Sequence, residues 1–176
     1  MDVIPDVLVE ETWQEMDSWS DDDIRQLMKR IAKTQGYLLA FVMEFTKQLS
    51  VDAQELALYM FAMIQRMIWK AAGRVRRARP REIEAAYKRN EEFLSRFVNA
   101  HERFLERAAE STDNPQPFVM KYLVEALMEA PTQEDPVVLS EDETGEIFLI
   151  LKTVIEVLDK VSQSRMRPRG STEAAG

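Results

Sequence analysis

One apolar stripe limits the possible folds of this chain more than any other feature of its sequence. Between Ile24 and Leu49, each position of the stripe follows the last by four or three residues. Residues spaced in this way lie on one face of an α-helix, and a partner helix must cover them. The spacing predicts a helix of about 29 residues, roughly 43 Å long at 1.5 Å per residue. The stripe consists of Ile24, Met28, Ile31, Gln35, Leu38, Val42, Phe45 and Leu49.

The remaining sequence also has the pattern of an all-α protein. Only 5 Gly and 7 Pro occur in 176 residues, so turns are few and the elements between them are long. Capping residues precede apolar runs at Ser20, Ser50 and Ser140, and Pro80 is suited to the first turn of another helix. We expect an antiparallel bundle of about five helices. The first helix is expected near residues 21–49, and the second begins near residue 52 and ends at a bend at Pro80. The remaining three are expected near residues 80–110, 118–130 and 141–164. A short extra helix is possible near residues 8–18.

The buried core should contain residues from several of these helices. We expect Met60, Ile64, Phe97, Phe104, Ile150 and Val154 to be almost fully buried. Three methionines, Met60, Met63 and Met67, follow helical spacing in the second helix. Flexible methionine surfaces suit the binding of partner helices, but a helix that is apolar on every side favours core packing.

Charge divides the chain into three predicted parts. These are an acidic N-terminal segment at residues 1–19, a single helical-bundle domain at residues 20–164 and a flexible tail at residues 165–176. Residues 1–23 hold nine acidic side chains and no Lys or Arg, together with Trp13 and Trp19. An acidic segment with two tryptophans is expected to dock on a basic surface, because the indoles supply apolar anchorage.

The basic residues are concentrated at the end of the second helix. Seven of them occur within sixteen positions without an intervening acid, although the chain has a net charge of −8. Three interpretations stay open. In the first, the run contacts an acidic protein surface, such as residues 1–23. In the second, it binds phosphates of a nucleic acid while Trp69 stacks on a base. In the third, it is a solvated helix end whose charge complements the helix dipole. The run consists of Arg66, Lys70, Arg74, Arg76, Arg77, Arg79 and Arg81.

Three polar residues occupy positions in the apolar stripes of the first and third helices. Gln35, Asn90 and His101 could form one buried polar layer if these two helices face each other. In that layer the imidazole of His101 would act as a base or a pH sensor, or the three side chains would set the helix register through hydrogen bonds. We expect the second role.

Glu143-x-x-Glu146 and Glu156-x-x-Asp159 resemble the carboxylate pairs with which all-α nucleotide pyrophosphohydrolases hold magnesium. In that family the pairs lie on separate helices. Here both lie on one expected helix, and thirteen residues turn it by about 1300°, some 220° beyond three full turns. The two pairs point away from each other, whereas a hard cation needs converging oxygens. We therefore predict no metal site from this pattern.

Other chemistry finds little support in the sequence. The chain has no Cys and one His, which excludes thiolate catalysis, Cys-based zinc sites and sites that need several histidines. We expect no catalytic residue, no cofactor and no metal.

The leading hypothesis is a non-enzymatic, cytoplasmic protein-interaction or oligomerisation module: an adaptor, chaperone-like or regulatory bundle that forms a homo-oligomer or binds a protein partner. A nucleic-acid-associated accessory protein that uses residues 66–81 is the alternative, and an all-α nucleotide-hydrolysing enzyme is the third hypothesis. The N-terminus lacks the basic and apolar regions of a signal peptide, and no apolar run is long enough for a membrane span. We therefore expect no membrane partner.

Overall fold

A computed structural model describes residues 1–73, 75–95, 114–128 and 138–163, and within these ranges the chain forms seven α-helices and no strand. The prediction of an all-α fold is confirmed for this part of the chain, but the count of about five helices is not. The helices are α1 (Asp6–Asp17), α2 (Asp21–Thr34), α3 (Gly36–Thr46), α4 (Val51–Ala72), α5 (Pro80–Ser95), α6 (Pro117–Met128) and α7 (Glu141–Gln163).

The first predicted long helix is two helices, because the backbone breaks at Gln35. This residue has φ −132° and ψ 40°, outside the helical region, between the end of α2 and the start of α3. Its side chain accepts a hydrogen bond from the Ala78 N–H at 2.9 Å and donates one to the Arg76 carbonyl at 2.8 Å. Buried backbone groups in an irregular connection need partners, and Gln35 supplies two of them. Gln35 at the break therefore provides hydrogen-bond partners for two backbone groups of the connection between α4 and α5.

The helix that precedes this connection ends earlier than predicted. We expected it to continue to a bend at Pro80, but α4 ends at Ala72, and Gly73 follows with φ 70°. Glycine adopts this left-handed conformation without the steric cost that a Cβ imposes. Residues 75–79 are irregular, and they bury Val75 and Ala78 against the bundle.

Two helices form the centre of the bundle. α4 and α7 pack against each other, and α5 covers another side of α7. Met60, Ile64, Ile150 and Val154 are buried as predicted, while Phe97 and Phe104 lie outside the described residues. The three methionines of α4 are at most 1% exposed, so they fill the core rather than present a surface.

The predicted helix starts are confirmed at three serines. Ser20 forms a reciprocal capping box with Asp23, and Ser50 accepts a hydrogen bond from the N–H of Ala53. Ser140 and Glu143 form the expected capping box at the start of α7.

The acidic N-terminal segment is part of the packed structure. α1, the extra helix that we considered possible, lies against α4 and α6 and buries Val9 and Met16. Ile4 is fully buried, and its N–H donates to Oε1 of Gln116 at 2.8 Å. Gln116 in turn donates to Asp159 on α7 at 2.8 Å. The predicted tail at residues 165–176 lies outside the described residues.

Candidate functional site

The C-terminal end of α4 lies beside a cavity of about 340 Å³ with a basic lining. The last two turns of α4, the last turn of α2 and the connection that follows α4 form its walls. We call it the basic pocket. Its lining residues are Arg30, Thr34, Arg66, Trp69, Lys70, Gly73 and Val75.

An indole covered by a guanidinium forms one wall of the basic pocket. The guanidinium carbon of Arg30 lies 4.2 Å from the ring centroid of Trp69, within cation–π range. Trp69 is only 7% exposed because it also packs into the core. Its ring face is therefore unavailable to a nucleic-acid base while Arg30 remains in place.

A carboxylate from the acidic segment neutralises part of the pocket. The two Glu15 oxygens accept one hydrogen bond each, from Arg66 Nη2 at 2.7 Å and from Lys70 Nζ at 2.8 Å. The hydrogen bond from Lys70 is the largest influence that lowers the pKa of Glu15, and the Arg66 contacts add to it against the effect of burial. Glu15 is therefore held as a carboxylate. The ring of Trp19 supports this contact, 5.5 Å from the guanidinium carbon of Arg66.

The acidic segment and the basic run thus meet within one chain, through fewer residues than the sequence suggested. Trp13, the other expected anchor, is 42% exposed on α1. Arg66 and Lys70 are the members of the run that pair with the acidic segment in the described residues.

The other arginines of the run have different surroundings. Arg76 forms a bidentate pair with Glu82, at 2.7 and 3.0 Å, and the pKa of Glu82 is lowered to about 2, mainly by this hydrogen bonding. Arg77 donates to the carbonyls of Lys33 and Thr34, the last residues of α2, so its charge complements the dipole of that helix. Arg79 and Arg81 are exposed at the start of α5, and Arg74 lies outside the described residues.

The residues of the predicted polar layer bond to separate partners. Gln35 and Asn90 are both buried, but Gln35 holds the connection before α5. The amide nitrogen of Asn90 lies 3.2 Å from both Thr153 Oγ1 and a Glu156 carboxylate oxygen on α7. His101 lies outside the described residues, so its place in the layer stays a prediction.

Three of the four carboxylates in the two pairs of α7 have structural partners within the described part of the chain. Glu143 caps α7 and also accepts a hydrogen bond from the Ser50 N–H at 2.9 Å. Glu156 pairs with Lys152, and Asp159 accepts from Gln116. Glu146 is half-buried, and desolvation raises its pKa, with Glu91 adding to the effect. Across the described ranges, no three His, Asp or Glu side chains are grouped closely enough to hold a metal ion.

A second cavity, of about 560 Å³, lies between the end of α3 and the start of α7. Its lining is acidic. The Glu143 carboxylate in this lining already accepts hydrogen bonds from Ser140 at the start of α7 and from the Ser50 N–H at the start of α4. It is lined by Phe45, Gln48, Leu49, Ser140, Asp142, Glu143 and Glu146.

Several residues of the site have no clear sequence signal. Arg30 and Thr34 resemble the other polar residues on the outer face of α2, and their position in the pocket depends on how α2 packs against α4.

Gln65, fully buried in α4, has no hydrogen-bond partner for either amide atom, and the neighbouring Arg66 Nε also has none within the described structure. Such buried unpaired groups are uncommon and cost free energy.

No helix in the described part of the chain combines the length and apolar character needed to cross a bilayer. Comparison with protein-family models, with curated proteins and with solved structures finds no match to this chain.

Proposed function

We propose that this chain is a non-enzymatic, cytoplasmic protein-interaction module whose basic pocket binds an acidic segment of a partner protein. The observation that supports this proposal is the charge of the pocket. Three cations, Arg30, Arg66 and Lys70, line it, and in the described structure Glu15 pairs with two of them, Arg66 and Lys70. The cytoplasmic location remains a prediction from the sequence.

The contact with Glu15 indicates what kind of ligand this surface accepts. A carboxylate on one helix fits between Arg66 and Lys70, and an aromatic side chain from the same segment packs beside it. Ion pairs at a surface contribute only about 0–1 kcal/mol each, so an acidic ligand needs several cations or an apolar anchor. Arg30 adds a third cation, and Val75 adds apolar surface.

A second copy of this chain has the same chemistry as such a partner. Its residues 1–23 carry nine acids and two tryptophans, of which Trp13 is exposed. Association of two copies through this segment would make the module a homo-oligomer.

The nucleic-acid alternative is favoured by one observation, the exposure of Arg79 and Arg81 at the start of α5. Single-stranded nucleic acids are bound through base stacking on aromatic rings in addition to phosphate contacts. Trp69 is buried beneath Arg30 and does not provide an open stacking surface. The acidic-segment proposal therefore ranks first.

Fluorescence anisotropy at low salt tests the proposal. The probes are a labelled peptide with the sequence of residues 1–23 and labelled single-stranded and duplex oligonucleotides. We expect the peptide to bind, and Arg30→Gln to weaken it several-fold. Arg25→Gln is the matched control, because Arg25 lies exposed on the same helix and pairs with Asp22.

Two results would reject the proposal. One is the absence of peptide binding to the wild-type protein at tens of micromolar. The other is tighter binding of oligonucleotides, with a log–log salt slope of several units, which the nucleic-acid alternative predicts. Substitutions are preferable to deletion of residues 1–19, since Ile4, Val9 and Met16 are buried in the core.

A further inference from the structure

The basic pocket contains more positive charge than Glu15 neutralises. Arg66 and Lys70 share that single carboxylate, and Arg30 has no carboxylate partner in the described residues. Counted over the described residues that line it, the pocket and Glu15 together therefore retain two positive charges. A ligand with one carboxylate would leave part of this charge uncompensated, whereas a dianion would match it.

Hydrogen-bond donors in the pocket also remain unused. The Nε–H of Arg66, a lining residue of the pocket, is buried and has no acceptor among the described residues. The Lys70 ammonium has three N–H groups, and the contact with Glu15 accounts for one of them. A tetrahedral phosphoryl group offers three acceptor oxygens, while a carboxylate offers two.

We propose that the acidic segment bound by the basic pocket carries a phosphorylated side chain, whose phosphoryl group lies between Arg30, Arg66 and Lys70. Such a group carries about −1.5 to −2 charges at pH 7, close to the excess in the pocket. Val75 and Trp69 also line the pocket and supply apolar surface for the carbon atoms of the modified side chain. A volume of about 340 Å³ suffices for one side chain. This inference rests on the proposed function and specifies the ligand of the same pocket.

Glu15 competes with the phosphoryl group in this arrangement. Its carboxylate occupies one donor each of Arg66 and Lys70 and adds a negative charge beside the ligand. The Glu15→Gln substitution removes that charge and keeps the side-chain size. It should therefore tighten phosphopeptide binding several-fold.

Competition anisotropy with three peptides of one acidic sequence tests the inference. The peptides carry phosphoserine, glutamate or serine at the same central position, and inorganic phosphate is a fourth competitor. We expect the phosphoserine peptide to bind at least tenfold more tightly than the glutamate peptide. Arg30→Gln, at an exposed position that the fold should tolerate, should remove most of this preference, and Arg25→Gln should leave it unchanged.

The outcomes separate this inference from the proposed function. Equal binding of the phosphoserine and glutamate peptides overturns the inference and leaves an acidic-segment module in place. The inference is also overturned if inorganic phosphate displaces the labelled peptide at concentrations as low as those at which the phosphopeptide does, because the site would then recognise a free anion. Failure of all three peptides to bind rejects the proposed function itself. A preference for phosphoserine that survives Arg30→Gln places the phosphoryl group elsewhere and likewise overturns the inference.

Discussion

Replacing Gln35 with leucine should destabilise the protein although leucine is apolar and of similar size. Gln35 is fully buried, and its amide pairs with the N–H of Ala78 and the carbonyl of Arg76. Leucine can pair with neither group. The Ala78 N–H would remain buried and the Arg76 carbonyl partly buried, in a connection that has no helix to supply other partners.

The size of the loss follows from these two groups. Leaving a buried backbone donor or acceptor unpaired costs about 1–3 kcal/mol. Ala78 is fully buried, so its N–H should incur most of that cost, while the Arg76 carbonyl lies nearer to water and should incur less. The apolar surface that leucine buries offsets part of the loss. We therefore expect a net decrease of roughly 2–4 kcal/mol in the free energy of unfolding.

Urea denaturation followed by far-UV circular dichroism measures this difference. Gln26→Leu is the matched control, since Gln26 is exposed on α2, the helix that ends just before Gln35, and its substitution should change the stability by less than about 0.5 kcal/mol. A loss below about 1 kcal/mol for Gln35→Leu would refute the argument that this side chain supports the connection.

Three further predictions follow from burial and charge. Phe61→Ala, at a fully buried position of α4, should cost about 3–5 kcal/mol in the same urea assay, and a loss below about 1 kcal/mol would contradict its place in the core. Gln65→Met should raise the stability by about 1–2 kcal/mol because it removes a buried amide that has no hydrogen-bond partner in the described part of the chain; a destabilised variant would show that the amide has one. The pKa of Glu82 is about 2 in the folded protein against an ordinary value of 4.5, so its pairing with Arg76 contributes full stability above pH 4.5 and loses it as the pH falls towards 2. Unfolding free energies measured across this range should fall less steeply for Glu82→Gln than for the wild-type protein, and identical slopes would exclude the pair as a source of the acid sensitivity.

The parts of the fold that were predictable depend on residues close together in sequence. The caps at Ser20 and Ser140 need a partner only three residues away, and the sequence locates both helix starts. The break at Gln35 depends on backbone groups 41 and 43 residues further along the chain. Periodicity cannot reveal such a break, because the apolar spacing continues through it.

The candidate site was also predictable only in part, since its charge pattern can be seen in the sequence whereas its individual contacts depend on packing. The opposite charges of residues 1–23 and 66–81 indicated that these segments attract each other, and Glu15 does pair with Arg66 and Lys70. The sequence did not indicate which of nine acids makes the contact. That choice depends on the rotation of α1 about its axis, which is set by the burial of Val9 and Met16.

The hydrogen bonds of the connection before α5 also have a kinetic consequence for the basic pocket. Gln35 ties residues 76–78 to the junction of α2 and α3, and Arg77 ties them to the last carbonyls of α2. The walls of the pocket come from α2, α4 and this connection, and these bonds hold two of the walls, α2 and the connection, together before any ligand arrives. A preorganised site loses little conformational entropy on binding. Association should therefore proceed in one step, with an observed rate constant that rises linearly with ligand concentration and shows no plateau from a slow rearrangement.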